Sequence, residues 1–410
     1  MIVRRKNAAE PSPHMRRALR LAARAAGDTS PNPMVGAVLV RNGRVVGEGH
    51  HRRAGAAHAE HVAIAQAGAR ARGATLYVTL EPCAHRGRTP PCTDAIVRAG
   101  IARVVIALED PDARVRGRGI AALKRAGVDV EIGDGGDAAR ELNRAYLKQR
   151  TSGLPYLTLK IAQTLDGYVA RRRGERTAIT GARSAAFTRR ERIEHDVVMI
   201  GVDTAIVDDP LLTVRPRHRR AVPYLRVVVD SHGRIPPGAR ILHDQRAART
   251  LIATTRTMPR AVRARLQRSG ARVMVCRHMP DGRVDLHDLL KRLGRQGHLS
   301  VLCEAGPTLA RALLAARLVD RIHWLIASKR FGRLPDALAA PEIARARIDA
   351  VAPIGRDVFV SGTPEVQRSS PGSSHMKARS SPSKRRTARA GSSSKARSSR
   401  TAKRRAPAST

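Results

Sequence analysis

Aromatic side chains make up only 2% of the 410 residues, with one tryptophan, three phenylalanines and five tyrosines. A chain so poor in flat side chains has little with which to stack the bases of a single-stranded nucleic acid. Cysteine is scarce as well. Four residues are too few for a disulfide framework and fit a reducing compartment, where paired cysteines more often hold metal. No run approaches the ~20 apolar residues of a membrane span, and the basic N-terminus, Met1 to Pro13, lacks the apolar centre of a secretory signal. A cytoplasmic protein with no membrane contact is expected. Acid is the remaining deficit: 34 Asp and Glu face 77 Lys and Arg, a net charge of +43 that suits phosphate-rich partners. The length favours two domains with sizeable cores.

Part of the charge is segregated. Residues 368–410 carry 13 Lys or Arg and 13 serines with no acid, no aromatic and no branched aliphatic residue, so they cannot build a core and are expected to form a disordered basic tail. A solvated extension is the plain reading, and a nonspecific electrostatic contact with nucleic acid is the functional one.

The first 150 residues alternate strands and helices. Met34–Val40 and Arg44–Gly49 flank Asn42-Gly43, a pair that tolerates positive φ and suits a tight hairpin. His58–Arg70 reads as an alanine-rich helix, Thr75–Thr79 as a strand, and Pro90-Pro91 as the opening of a helix through Ala99. Arg103–Leu108 and Val128–Ile132 read as further buried strands around a helix. The result is an α/β layer. Thr151-Ser152-Gly153-Leu154-Pro155 punctuates the pattern and marks a boundary. A second α/β series follows, with strands at Leu157–Ala162, Val197–Gly201, Val227–Asp230, Leu251–Ala253, Val273–Cys276 and Ser300–Cys303. The expected division is 1–150, 151–363 and a tail over 364–410.

The sharpest chemical signal is His58-Ala59-Glu60 followed by Pro82-Cys83 and then Cys92. Two thiolates and an imidazole are the ligand types that zinc prefers, and three protein ligands leave the fourth tetrahedral position for water. Such a water becomes hydroxide near neutral pH, which supplies a nucleophile. His58 and Glu60 are workable together at a helix's first turn, and Cys92 in the opening turn of the next helix meets bare backbone amides. Glu60 is placed to move a proton from that water to a departing amine. Cys276 and Cys303 each end an apolar run and read as small core fillers.

His-x-Glu with Pro-Cys and a second Cys is the zinc-deaminase pattern, here with a longer cysteine spacing. Glu81-Pro82-Cys83-Ala84-His85-Arg86-Gly87-Arg88-Thr89-Pro90-Pro91-Cys92, together with Thr29-Ser30-Pro31-Asn32-Pro33-Met34-Val35-Gly36, closely resembles the deaminase half of the bifunctional RibD family of riboflavin biosynthesis, from about Met15 to Leu147. The resemblance implies a cytidine-deaminase-like three-layer domain acting on a phosphoribosylated pyrimidine. It makes Asn32, His85, Arg86, Arg88 and Thr89 candidate substrate contacts.

In the second half no Gly-x-Gly-x-x-Gly follows a strand, so a Rossmann site has no support. Ser300–Glu304 instead runs into Ala305-Gly306-Pro307 and a helix, a turn that can deliver bare amides to the phosphates of a dinucleotide. Leu159-Lys160-Ile161-Ala162 with Leu165-Asp166-Gly167, Ile179-Thr180-Gly181, Gly201 with Thr204, Asp208–Arg215 and Glu304–Leu309 resemble the RibD reductase half, from about Pro155 to Gly332. That implies a dihydrofolate-reductase-like α/β domain using NADPH. By resemblance Ala162, Ala178, Thr204, Asp208, Ser231 and Gly306 line the cofactor, while Arg176, Arg192, Leu212, Arg215 and Glu304 face the substrate, arginine holding its phosphate by bidentate bonds. Lys160 is either an electrostatic partner in hydride transfer or a strand-end surface lysine.

Three positions depart from the family. Arg176-Thr177-Ala178 stands where Ser-x-Trp is usual, Ser184-Ala185 where Ala-Arg is usual, and Ser328 where proline is usual. The first two remove an aromatic wall and a paired arginine. The resemblance thus implies a zinc deaminase and NADPH reductase on one chain, in a homo-oligomer. The competing readings are a zinc deaminase directed at nucleic acid, a deaminase with a degenerate reductase half, and an inactive relic that binds nucleic acid.

Overall fold

The computed structural model describes residues 10–85, 90–214, 223–343 and 345–365. Of the tail expected over 364–410, Pro364 instead ends the last strand and Glu365 follows it, because both pair with the neighbouring stretch of the chain; the rest lies outside the described residues, as do Arg86, Arg88, Thr89 and Arg215. The described chain falls within one compact unit, Met1–Val366.

The first half runs α1 (Pro13–Ala23), β1 (Gly36–Arg41), β2 (Arg44–His50), α2 (Ala59–Ala67), β3 (Thr75–Val78), α3 (Cys92–Arg98), β4 (Arg103–Ile106), α4 (Arg118–Arg125), β5 (Asp129–Ile132), α5 (Gly136–Leu142) and α6 (Arg144–Ser152). Its five strands are ordered β2-β1-β3-β4-β5, antiparallel from β2 to β3 and parallel from β3 to β5. The hairpin turns on Asn42 and Gly43, both at positive φ (49° and 73°), as the right-handed twist of its strands requires. Helices cover both faces. Ala63, Ile96, Ile120 and Leu123 pack with Leu39, Leu76 and Val104 on one face. Met15, Ala18, Leu21, Ala139 and Tyr146 pack with Val38, Val40 and Val105 on the other.

Two details differ from expectation. Pro91 caps α3 from outside, and Cys92 is the helix's first residue. Of the strand expected over Val128–Ile132 only Val128 is buried: β5 has only β4 as a neighbour, and Ile132 is 49% exposed.

The second half runs β6 (Tyr156–Thr164), β7 (Tyr168–Ala170), α7 (Ala182–Glu194), β8 (Val197–Gly201), α8 (Val202–Asp208), β9 (Leu225–Val229), β10 (Thr250–Thr254), α9 (Arg260–Arg268), β11 (Arg272–Val275), α10 (Leu286–Arg295), β12 (Ser300–Cys303), α11 (Pro307–Ala315), β13 (Arg321–Ala327), β14 (Leu338–Ala339), β15 (Ala346–Ile354) and β16 (Asp357–Pro364). The nine-stranded sheet has the order β11-β10-β9-β8-β12-β6-β13-β16-β15. It is parallel from β11 to β13, and β16 and β15 add as an antiparallel edge. Successive strand residues alternate between faces, so Val197 and Met199 meet Leu289, Leu293, Leu309 and Leu313 while Val198 and Ile200 meet Val202, Ala205 and Leu266. In such sheets ligands bind beyond the carboxyl ends of the parallel strands, where the strand order reverses. The ends of β6, β8, β9 and β12 form that rim here.

Candidate active sites

In the first half the site is built by seating two helices. Ala59, Ala63 and Ala67 face β2, whose Gly47 lies so close to α2 that an added Cβ would sit 2.2 Å from the Ala63 carbonyl oxygen. Alanine against glycine brings the helix down onto the strand and fixes the position of its first turn. His58 is the N-cap of that helix, and Glu60 lies in its first turn, 3% exposed.

On the facing side, Cys83 follows β3 and Cys92 begins α3. The Thr93 amide donates to the Cys83 carbonyl at 3.2 Å, which ties the two thiol segments together. His58 Nδ1 stands 3.2 Å from Cys92 Sγ and 3.6 Å from Cys83 Sγ. The three ligand atoms all lie within 4.8 Å of one another, the single such cluster among the described residues.

These spacings fit zinc. Tetrahedral bonds of ~2.3 Å to sulfur and ~2.0 Å to nitrogen give nitrogen–sulfur edges of about 3.5 Å. The donor set fits as well, two thiols and one imidazole being ligand types that zinc prefers. The hydrogen bond from Cys92 pulls Cys83 down to about 4, aided by His58, while Cys92 is pushed up by the same contact and by burial. Burial pushes the Glu60 carboxyl up.

The surrounding residues are held in turn. The Glu81 carboxylate accepts the backbone amides of Asp110, Gly117, Gly119 and Ile120. A Cβ on Gly119 would meet the Pro82 carbonyl oxygen at 2.0 Å, so only glycine lets α4 approach the chain leading to Cys83.

Asn32 Nδ2 lies 3.1 Å from His51 Nε2, and the His51 ring stands edge-on to His58 with centroids 5.4 Å apart. His51 escaped the sequence reading because it lies outside the His-x-Glu spacing. Its only sequence signal was its place just after a strand that leads into that motif. Burial lowers its pKa. His85 is exposed on the loop after Cys83.

In the second half a cavity of about 1200 Å³ opens at the strand ends. It gathers Lys160, Ala162, Arg176, Ala178, Arg192, Thr204, Asp208, Leu212, Ser231, Glu304 and Gly306, every described candidate of this half. Gly306 caps α11 with Pro307 at the first helical position, and a Cβ there would stand 3.2 Å from Thr204 Oγ1. A close backbone turn with open amides suits a dinucleotide's phosphates.

Several side chains differ from their expected roles. Arg192 does not offer a free fork. Its Nε and Nη2 donate to Glu304 at 2.6 and 2.8 Å, and its Nη1 donates to the Thr213 carbonyl. Burial pushes Glu304 up, but Arg192 and Lys160 outweigh it and hold the carboxylate down. Leu212 is 3% exposed and packs in the core. It forms wall, at a positive φ of 49° that costs a non-glycine residue on the order of 1–3 kcal/mol. Lys160 is no strand-end surface lysine: it lies within β6 opposite His323 and lines the cavity, where burial lowers its pKa.

Ser184, one of the departures, is fully buried and donates to Asp357 at 2.5 Å, beside the Gly181 amide on the same oxygen. It braces α7 against β16. Buried Arg226 was missed by sequence. It pairs bidentately with Asp244 and donates to the Leu211 carbonyl at 2.9 Å, holding the cavity rim. Cys276 and Cys303 are buried thiols pushed up by desolvation, Cys276 to about 11, as core fillers should be.

A His-Cys-Cys cluster beside a buried glutamate, followed by a parallel sheet with a cleft at its strand ends, defines a two-part enzyme with a deaminase front and a reductase back. Comparison with known proteins agrees. The cytidine and deoxycytidylate deaminase zinc-binding region matches residues 9–108, and the RibD C-terminal domain matches 155–360. The riboflavin biosynthesis protein RibD of Escherichia coli K12 is 42% identical over 335 residues, 78% of this chain and 88% of that protein. Acinetobacter baumannii RibD superimposes with a TM-score of 0.76 at 36% identity, over 86% of this chain and 98% of that one. A Thermotoga maritima diaminohydroxyphosphoribosylaminopyrimidine deaminase/5-amino-6-(5-phosphoribosylamino)uracil reductase gives 0.74 at 29% identity, over 86% and 97%.

The chain belongs to the RibD family of bifunctional riboflavin-biosynthesis enzymes, with a deaminase and a reductase on one polypeptide. Its cofactors are zinc and NADPH. No helix among the described residues is long and apolar enough to cross a membrane.

Proposed function

We propose that the enzyme hydrolytically deaminates 2,5-diamino-6-ribosylamino-4(3H)-pyrimidinone 5′-phosphate and then reduces its ribosyl group to ribityl with NADPH. The observation that carries this reading is the His58, Cys83 and Cys92 cluster with Glu60 buried in the adjoining helical turn.

His58 Nδ1 and the two Sγ atoms would hold the zinc. When bound, the ion polarises a water and lowers its pKa toward neutrality. Glu60 takes the proton that this water gives up and passes it to the departing amine, so that water is consumed and ammonia released. Asn32, with His51 behind it, holds the pyrimidine, and His85, Arg86, Arg88 and Thr89 contribute from the insert between the cysteines.

In the second half Ala162, Ala178, Thr204, Asp208, Ser231 and the Gly306 turn hold NADPH, which supplies the hydride. Arg176 and Arg215 carry positive charge toward the substrate phosphate. Glu304 is kept ionised by Arg192, and Leu212 shapes the wall.

We divide the chain at about 150 and after β16, whose last residue is Pro364. The basic tail beyond it contacts polyanions nonspecifically, a reading supported by its composition. Exposed Ile348, Val351 and Val358 on β15 and β16 support a homo-oligomer, and the cysteine usage supports a cytoplasmic location.

Purified enzyme given the diamino substrate should release ammonia and oxidise NADPH in equal amounts. Ammonia without NADPH oxidation would demote the second half to a degenerate domain. Release from a polynucleotide but not from the small pyrimidine would overturn the substrate assignment.

A further inference from the structure

The loop that presents Asn32 is held by the other half of the enzyme. Its own half supplies Asn143, whose side chain exchanges two hydrogen bonds with Met34 at 2.8 and 2.9 Å, and Arg150, which donates to the Pro31 carbonyl at 3.2 Å. The remaining anchor comes from the second half. Ser30 Oγ donates to Asp196 Oδ2 at 2.7 Å, and the same oxygen accepts the Leu299 amide at 2.7 Å. Asp196 is 6% exposed, so this bond is made largely out of water. An apolar contact reinforces it: Leu299 packs into the first-half core beside Met15, Leu80 and Tyr146.

The same two segments carry the reductase ion pair. Asp196 lies four residues after Arg192, just beyond the end of α7. The Asp196 amide donates to Ser300 Oγ at 3.1 Å, and from Ser300 β12 runs directly to Cys303, next to Glu304. Four strand residues span about 13 Å. One short strand and the last turn of one helix therefore reach from the Arg192–Glu304 pair to the substrate loop of the deaminase.

We propose that Asp196, a residue of the reductase half, is a positioning residue for deamination. Through Ser30 it fixes the Thr29–Met34 turn, in which the Asn32 amide donates to the Thr29 carbonyl at 2.8 Å, and so aims the Asn32 side chain at the pyrimidine. This rests on the reading that Asn32 contacts substrate. The bond contributes to substrate binding and leaves the metal and Glu60 alone. It also gives a physical reason for the two halves to share one chain: the deaminase's binding loop is completed only against the reductase sheet.

The clean test is Ser30→Ala in the full-length, zinc-loaded enzyme, because Asp196 then keeps its bond to Leu299. A hydrogen bond to a buried carboxylate of this kind is worth roughly a tenfold change. The deaminase KM should rise by about that factor, with kcat within about twofold and with zinc content and NADPH-dependent reduction of the deaminated intermediate unchanged. Ser30→Thr, which keeps a hydroxyl, should restore KM. Asp196→Asn, which keeps an acceptor oxygen for Leu299, should raise KM by less. Asn32→Ala separates the two layers of the argument. If it raises KM and Ser30→Ala does not, the positioning role of Asp196 is wrong while the substrate assignment stands. If Asn32→Ala leaves KM unchanged, the assignment of Asn32 fails and the inference goes with it. A Ser30→Ala enzyme that loses kcat and zinc together would show a merely structural contact and overturn the proposal.

Discussion

The two catalytic halves solve opposite problems. In the deaminase half three ligand atoms lie within 4.8 Å of one another, and the segments that carry them are tied down: alanine on glycine beneath His58, the Thr93 amide on the Cys83 carbonyl, and the amide-bound Glu81 beside Pro82. In the reductase half the working surface is a cleft of about 1200 Å³, made by strand ends, a helix cap and a strained turn, with one buried ion pair at its back. A hydrolytic site must aim a few side chains at one point. A hydride-transfer site must hold two large molecules edge to edge, and shape does most of that. The first should therefore fail abruptly when a single side chain is changed, and the second should fail through its buried charges or its wall.

Glu60→Gln should break the comparison most sharply. Ammonia release should fall by about 10³-fold, within the usual range for loss of a general acid–base group. Zinc content and reduction of already deaminated substrate should stay within about twofold of wild type. Metal analysis and the two assays on one sample check this, and unchanged turnover would remove Glu60 from the mechanism.

On the other side, Glu304→Ala leaves the buried Arg192 guanidinium unpaired. The loss should be about 3–5 kcal/mol of stability together with reduction, while ammonia release persists at temperatures where the variant stays folded. Denaturant melts and both assays measure it. The paired change Arg192→Met with Glu304→Gln should recover most of the stability and none of the reduction.

Gly119→Ala probes the support of the metal site rather than its ligands. Pushing α4 away from the Pro82 carbonyl should weaken zinc binding by about 10–100-fold, as loss of a ligand's support typically does, measured by chelator competition. The reductase should be unaffected.

The smallest effect is one of pH. Because Arg192 holds the Glu304 pKa below its ordinary value of about 4.5, the pair's stabilisation is present above that pH and is lost as pH falls through the lower folded value. Urea melts should show wild type losing more stability below about pH 4.5 than the Arg192→Met, Glu304→Gln enzyme.

The same contrast governs what could be read from the chain. The metal site was legible because the chemistry dictates residue type and spacing, so His58, Glu60, Cys83 and Cys92 announce themselves in a linear string. The alternating strands were legible where apolar runs are unbroken, as in Val197–Gly201 and Ser300–Cys303. Helix α1 was legible too, since Met15, Ala18, Leu21 and Ala22 form one buried face at helical spacing with arginines between them, but it carries no chemical motif to draw attention to it. Strand β16 is less legible because Gly362 and Pro364 are poor strand formers, and pairing with β13 and β15 overrides their preference. Burial of β5 was misjudged because sequence shows a strand's residues but not whether it lies at an edge. His51, Arg226 and the Ser30–Asp196 bond were invisible for a shared reason: each acts on a segment far away in sequence, and no local pattern encodes a tertiary partner. In the reductase half, resemblance located the lining residues but not what their polar atoms do. Arg192 donating to Glu304 and Ser184 to Asp357 became evident only in three dimensions.

The zinc K-edge absorption spectrum of the purified enzyme addresses the deaminase centre directly. Two sulfur scatterers and two light atoms in the first shell, unchanged in shell count by Glu60→Gln and reduced to one sulfur by Cys83→Ser, are the result expected for an ion held by His58, Cys83 and Cys92 with one position left to solvent. A third sulfur, or a first shell filled by four protein atoms, would contradict it.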